Sequence, residues 1–92
     1  MYKLYPICLN VENRRCLVVG GGEVALRKIE GLLEAGGAVS VVAPRVLEAI
    51  RILPVQICLR EFRESDLDGA AIVITATDDP AVNMRVSACA GQ

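Results

Sequence analysis

A chain of 92 residues with a net charge of −1 can fill one hydrophobic core and not two, and it carries no basic field to draw it to nucleic acid or an acidic lipid surface. Aromatic residues make up only 3% of the chain, which removes the stacking platforms that single strands use, while apolar residues make up 53%, so the core must be Val, Ile, Leu and Ala, as in a buried parallel sheet. There is no histidine and no C-x-x-C pair among Cys8, Cys16, Cys58 and Cys89, so no metal site is expected, and no apolar run approaches the roughly 20 residues that span a bilayer.

The first candidate strand is Ile7 to Val11, followed by a polar turn over Glu12 to Arg15. Cys16 to Val19 is apolar at every position and ends at three glycines, the pattern of a strand covered on both faces. Glu23 to Ala35 has helical spacing. Ala25, Ile29, Leu32, Leu33 and Gly36 form one stripe, Arg27, Glu30 and Glu34 lie opposite it, and Glu23 with Arg27 makes an i, i+4 pair. Gly36-Gly37 supplies a left-handed stop. Val39 to Ala43 is a second buried strand broken by Pro44, and Val46 to Leu53 suits a short helix.

Val55 to Leu59 is a third strand, rich in β-branched residues, and Glu61 to Asp68 is a charged loop or single helical turn. Ala70 to Ala76 is a fourth strand. Asp79-Pro80 then opens a last helix through Ala90, with Asp79 as its cap. Cys8, Cys16 and Cys58 sit in apolar runs and read as buried free thiols. No leader precedes Met1 to Pro6, so a cytoplasmic setting with reduced thiols is expected. Strands alternate with helices throughout. The expected fold is a single α/β domain over residues 1–92, a Rossmann-type parallel sheet of about four or five strands with helices on both faces.

Gly20-Gly21-Gly22-Glu23-Val24-Ala25 fits G-x-G-x-x-A between a buried strand and an amphipathic helix. In such a loop Gly20 allows the tight turn, Gly22 lets backbone approach a pyrophosphate, and Ala25 keeps the helix close to the sheet. The amides of the first helical turn lack backbone partners and sit at the positive end of the helix dipole, so an anion is their natural guest. No Lys-Ser or Lys-Thr pair follows the glycines, which disfavours a nucleoside triphosphatase loop. The acid that grips an adenosine ribose after the second strand is missing. Val42, Ala43, Pro44 and Arg45 stand there, with backbone at 43–45 able to line the adenosine side and Arg45 able to meet a 2′-phosphate. Thr77 and Asp78, after the fourth strand, are candidates for the nicotinamide side or the substrate, and Asn83 either reaches the crevice or faces solvent.

Cys16 to Lys28 resembles the opening of the siroheme synthase N-terminal domain, the precorrin-2 dehydrogenase and sirohydrochlorin ferrochelatase family. Tyr5 to Leu9, Leu33 to Gly36 with Val39 to Pro44, and Ala76-Thr77-Asp78-Asp79 with Val82-Asn83 and Arg85-Val86 are similar to further segments of that family. The resemblance implies an NAD-dependent oxidation of precorrin-2 to sirohydrochlorin, with iron insertion in some members. It places Gly20 to Val24 and Pro44-Arg45 on the cofactor and favours NAD over NADP despite Arg45. It also implies a catalytic aspartate about nine residues beyond Gln92 and a longer architecture of which this is the cofactor half, inactive by itself. Asp78 is the acid nearest the crevice in this stretch, with a positioning role. A sheet ending at strand four presents an apolar edge, so a homodimer is expected. The other reading is a nucleotide-sensing module of a transporter or regulator, which usually keeps the ribose acid that is absent here.

Overall fold

The computed structural model describes residues 10–77 and Met84. Four strands, β1 (Arg15–Val19), β2 (Ala38–Ala43), β3 (Gln56–Leu59) and β4 (Ile72–Thr75), form one parallel sheet in the order β3-β2-β1-β4. Two helices, α1 (Glu23–Glu34) and α2 (Glu48–Arg51), follow β1 and β2, and a single 3-10 turn (Glu64–Leu67) precedes β4. The chain winds outward from β1 through β2 to β3 and then returns to the far side of β1. The reversal falls between β1 and β4, and in open α/β sheets ligands bind at such a reversal. The expected strand Ile7 to Val11 lies largely outside the described residues. Asn10 and Val11 are not in a strand, and Val11 is buried against the core. The last helix from Asp79, together with Cys8, Asn83 and Cys89, lies outside the described residues.

β1 is buried from Cys16 to Val19, as its unbroken apolar run implies, and its two faces have different covers. Cys16 and Val18, with Val39 and Val41 beside them in register, meet Ala25 and Ile29 of α1 and Ile50 of α2. Leu17, Val19 and Val42 meet Phe62, with Leu67, Ala70 and Val73 around it. Both described helices therefore lie on one face of the sheet, and the segment from Phe62 to Leu67 covers the other.

α1 ends where the glycines predict. Gly36 has φ +84°, its amide donates to the Leu33 carbonyl at 3.0 Å, and the Gly37 amide donates to the Leu32 carbonyl at 2.9 Å. This pair of bonds is a Schellman closure, which satisfies the last carbonyls of the helix. Glu23 and Arg27 do not form the expected ion pair; both are exposed, and water solvates their charges at least as well as a surface partner would. The stretch Val46 to Leu53 shortens to the four residues of α2: Val46 and Leu47 lie against the glycine loop, where the Leu47 amide donates to the Gly21 carbonyl at 2.9 Å, and the chain turns at Ile52 ahead of Pro54. Cys16 is a buried free thiol whose pKa burial raises, whereas Cys58 is exposed: β3 is an edge strand, and position 58 has no layer over it.

Candidate functional site

All four strands point their carboxyl ends the same way, and the segments leaving those ends build one cleft of about 620 Å³. Gly20 to Val24 leave β1, Val42 to Arg45 close β2, Glu61 and Phe62 follow β3, and Ala76 and Thr77 follow β4. This volume falls within the usual range of ligand pockets, about 300–1,000 Å³.

The three glycines have three different jobs. Gly20 has φ +136°, and a Cβ on it would come within 2.7 Å of the Ala76 carbonyl carbon, so the loop and the end of β4 touch backbone to backbone. The Gly20 amide donates to Val42 at 3.0 Å and the Ala76 amide donates to Val19 at 2.8 Å, which extends the ladder into the loops on both sides of β1. Gly21 is pressed against the segment after β2: a Cβ there would lie 2.8 Å from the Cα of Val46, and its carbonyl accepts from the Leu47 amide at 2.9 Å. Gly22 is the open one. It caps α1 in an extended conformation, and a Cβ on it would meet nothing within 4 Å. The sequence assigned turn and approach to Gly20 and Gly22 and missed the packing role of Gly21.

At the start of α1 the Gly22 carbonyl accepts from Leu26 at 2.9 Å, and no side chain caps the helix. Among the described residues the amides of Gly22, Glu23 and Val24 have no acceptor. Unsatisfied donors at the positive end of a helix, beside an open cleft and with no Cβ on Gly22, form an anion cradle. Ala25 is fully buried directly below and lets the helix start against the sheet.

The structure brings Gly20 to Val24, Ala43, Pro44, Arg45 and Thr77 together around this cleft, and Asp78 lies outside the described residues. Pro44 and Arg45 are exposed at its rim. Glu61 and Phe62 also line the cleft, and the sequence reading passed over them as part of a charged loop. Phe62, the only Phe in the chain, is 4% exposed. A single apolar residue between Glu61 and Arg63 just past a strand was the available signal.

The segment that carries Phe62 is braced by charge as well as by the packing of the ring on Leu17, Val19 and Val42. Arg60 donates to both carboxylate oxygens of Asp66, at 2.8 and 2.5 Å, and the Arg63 amide donates to the same carboxylate at 2.7 Å. Asp66 is 7% exposed, and a carboxylate so buried needs such partners. The Arg60 bond holds its pKa below the usual carboxylate value; burial opposes this, and the Arg63 amide adds to it. Opposite this clamp, the Arg15 guanidinium donates to the Asp68 carbonyl and ties the end of the same segment to the start of β1.

Among the described residues no helix is long and apolar enough to cross a membrane. A siroheme synthase of Pseudomonas fluorescens (strain Pf0-1) is 46% identical over 90 residues, covering 94% of this chain and 19% of that protein. One from Azotobacter vinelandii (strain DJ / ATCC BAA-1303) is 46% identical over 89 residues, covering 89% of this chain and 18% of that protein. The chain thus spans about a fifth of the length of the curated relatives it matches. Among solved structures, SirC, a precorrin-2 dehydrogenase, superposes with a TM-score of 0.85 at 36% identity, covering 91% of this chain and 44% of that one. The parallel α/β architecture and the resemblance to the siroheme synthase N-terminal domain, both expected from the sequence, are found here. The family model described as "Putative NAD(P)-binding" matches residues 7–92, and the chain, with its glycine cradle at the carboxyl ends of a parallel sheet, belongs to that family.

Proposed function

We propose that this chain is the NAD-binding portion of a precorrin-2 dehydrogenase of siroheme biosynthesis, working on a tetrapyrrole. The observation that carries the reading is the set of unpartnered amides at Gly22 to Val24, which open onto a cleft large enough for a dinucleotide. The names of the relatives supply the reaction. The amides of Gly22, Glu23 and Val24 hold the pyrophosphate. Gly20 and Gly21 fix the loop that aims them, Ala43, Pro44 and Arg45 line the adenosine side, and Thr77 lines the nicotinamide end of the cleft, the role also assigned to Asp78 as the next residue in the sequence. NAD, when bound, supplies a two-electron hydride acceptor. The chain's own residues bind and orient it, and the β1–β4 crevice sets where the nicotinamide faces the substrate. The residues that act on the tetrapyrrole belong to a longer architecture of which this is the N-terminal part. The reading includes a cytoplasmic setting, which keeps Cys16 and Cys58 reduced, and pairing of two copies, which a strictly monomeric sedimentation profile at high concentration contradicts.

Isothermal calorimetry with NAD, and with NADP alongside, tests the cofactor reading directly. NAD binds with measurable heat, and no heat from either dinucleotide at millimolar concentration overturns the assignment. Gly22→Ala sharpens the test: nothing stands where the methyl would go, so the protein still folds and its melting temperature falls by no more than a few degrees, the cost of alanine at a helix N-cap, while NAD binds about tenfold more weakly because the methyl crowds the cradle.

A further inference from the structure

We propose that Glu61, at the end of β3, does the work of the absent strand-two carboxylate by accepting hydrogen bonds from the ribose hydroxyls of the adenosine half, so that it sets the preference for NAD over NADP. This rests on the cofactor reading above. With the pyrophosphate on the amides at the start of α1, the sheet order leaves two directions for the rest of the dinucleotide, toward β4 or toward β2 and β3. On the β2 and β3 side the cleft is lined by Val42, Ala43, Pro44, Arg45, Glu61 and Phe62. A ribose diol presents hydroxyl donors, and a guanidinium offers it no acceptor. Among the described residues Glu61 is the single carboxylate lining that side of the cleft.

Its position fits the task. Ala43 pairs with Leu59 at the carboxyl ends of β2 and β3, and the two segments that leave this pair bring Arg45 and Glu61 to the same cleft. Neighbouring strands lie about 4.8 Å apart, so an acid leaving β3 starts one strand farther out than an acid leaving β2 would. Glu carries one methylene more than Asp toward making up the difference. Glu61 is exposed, and the described ion pair of this segment is Arg60 with Asp66, so the Glu61 carboxylate is not committed to that clamp. Glu61 and Arg45 thus oppose each other in selectivity: the carboxylate accepts from a 2′-hydroxyl and repels a 2′-phosphate, whereas the guanidinium attracts the phosphate.

The test is calorimetric titration of the chain and its Glu61→Gln and Glu61→Lys variants with NAD and NADP, with thermal melts to show that each variant folds. Wild-type protein prefers NAD. Glu61→Gln weakens NAD about tenfold and leaves NADP unchanged or tighter, and Glu61→Lys favours NADP. A variant that keeps the wild-type ratio of NAD to NADP affinity, whether both fall together or neither moves, overturns the role of Glu61 while leaving the cofactor reading in place. Failure of the wild-type protein to bind either dinucleotide overturns the cofactor reading itself.

Discussion

The two faces of β1 are packed by different means. On one face α1 lays a continuous apolar stripe, and Ala25 and Ile29 are fully buried with Leu26, Leu32 and Leu33 beside them. On the other face, among the described residues, an irregular segment does the covering: one aromatic ring, in a segment braced by the ion pair between Arg60 and Asp66, packs on Leu17, Val19 and Val42. A helix positions its apolar residues through its own backbone hydrogen bonds, so its packing face follows from spacing. An irregular cover has no such internal frame and borrows one from side chains, which is why three donors converge on the Asp66 carboxylate. The cleft lies where both devices end, with α1 supplying its amides and Phe62 part of its wall.

Three substitutions put that contrast at risk, in falling order of effect. Phe62→Ala removes the largest of the described side chains over its face and costs about 4 kcal/mol in urea unfolding, and it lowers NAD affinity as well because the ring lines the cleft. Ile29→Ala on the helical face costs about 3 kcal/mol and leaves the dinucleotide affinity of the remaining folded protein unchanged, since Ile29 does not line the cleft. Equal effects of the two on ligand binding would erase the distinction between the faces. Asp66→Ala costs about 2 kcal/mol through its lost charge-assisted bonds.

That clamp also has a pH signature. Asp66 ionises in the fold below its unfolded pKa, so its contribution is fully present above the ordinary carboxylate pKa and is lost as pH falls through the depressed folded value. Unfolding free energy measured from neutral to acid pH therefore declines more steeply in the wild type than in Asp66→Ala, while Ile29→Ala keeps the wild-type slope. Identical acid slopes for wild type and Asp66→Ala would show that the carboxylate is not stabilised as its geometry indicates.

The helical face was legible in the sequence and the other was not. The spacing of Ala25, Ile29 and Leu32 announces α1, Gly36-Gly37 announces its end, and the unbroken run at 16–19 announces a strand buried on both sides. The glycine loop could be read because strand, glycines and helix arrive in one order with one physical purpose. Phe62 and Glu61 were hidden because their roles depend on where β3 lies beside β2, and pairing order is not written in local periodicity. Cys58 misled for the same reason: its run looks as apolar as that of Cys16, but an edge strand lacks the second neighbour that would bury it. The packing of Gly21 on the segment after β2 likewise needed three-dimensional proximity to become visible.

The contact between Gly20 and Ala76 governs how the cleft keeps its width. Main chain rests directly on main chain there, with no intervening side chain to rotate or repack. The spacing between the phosphate end and the opposite end of the crevice is therefore gauged by peptide geometry, which stays constant as neighbouring side chains change. Drift in the surrounding residues can retune affinity without altering the reach a bound dinucleotide must span, whereas a single added methyl at position 20 would pry β1 and β4 apart at their carboxyl ends.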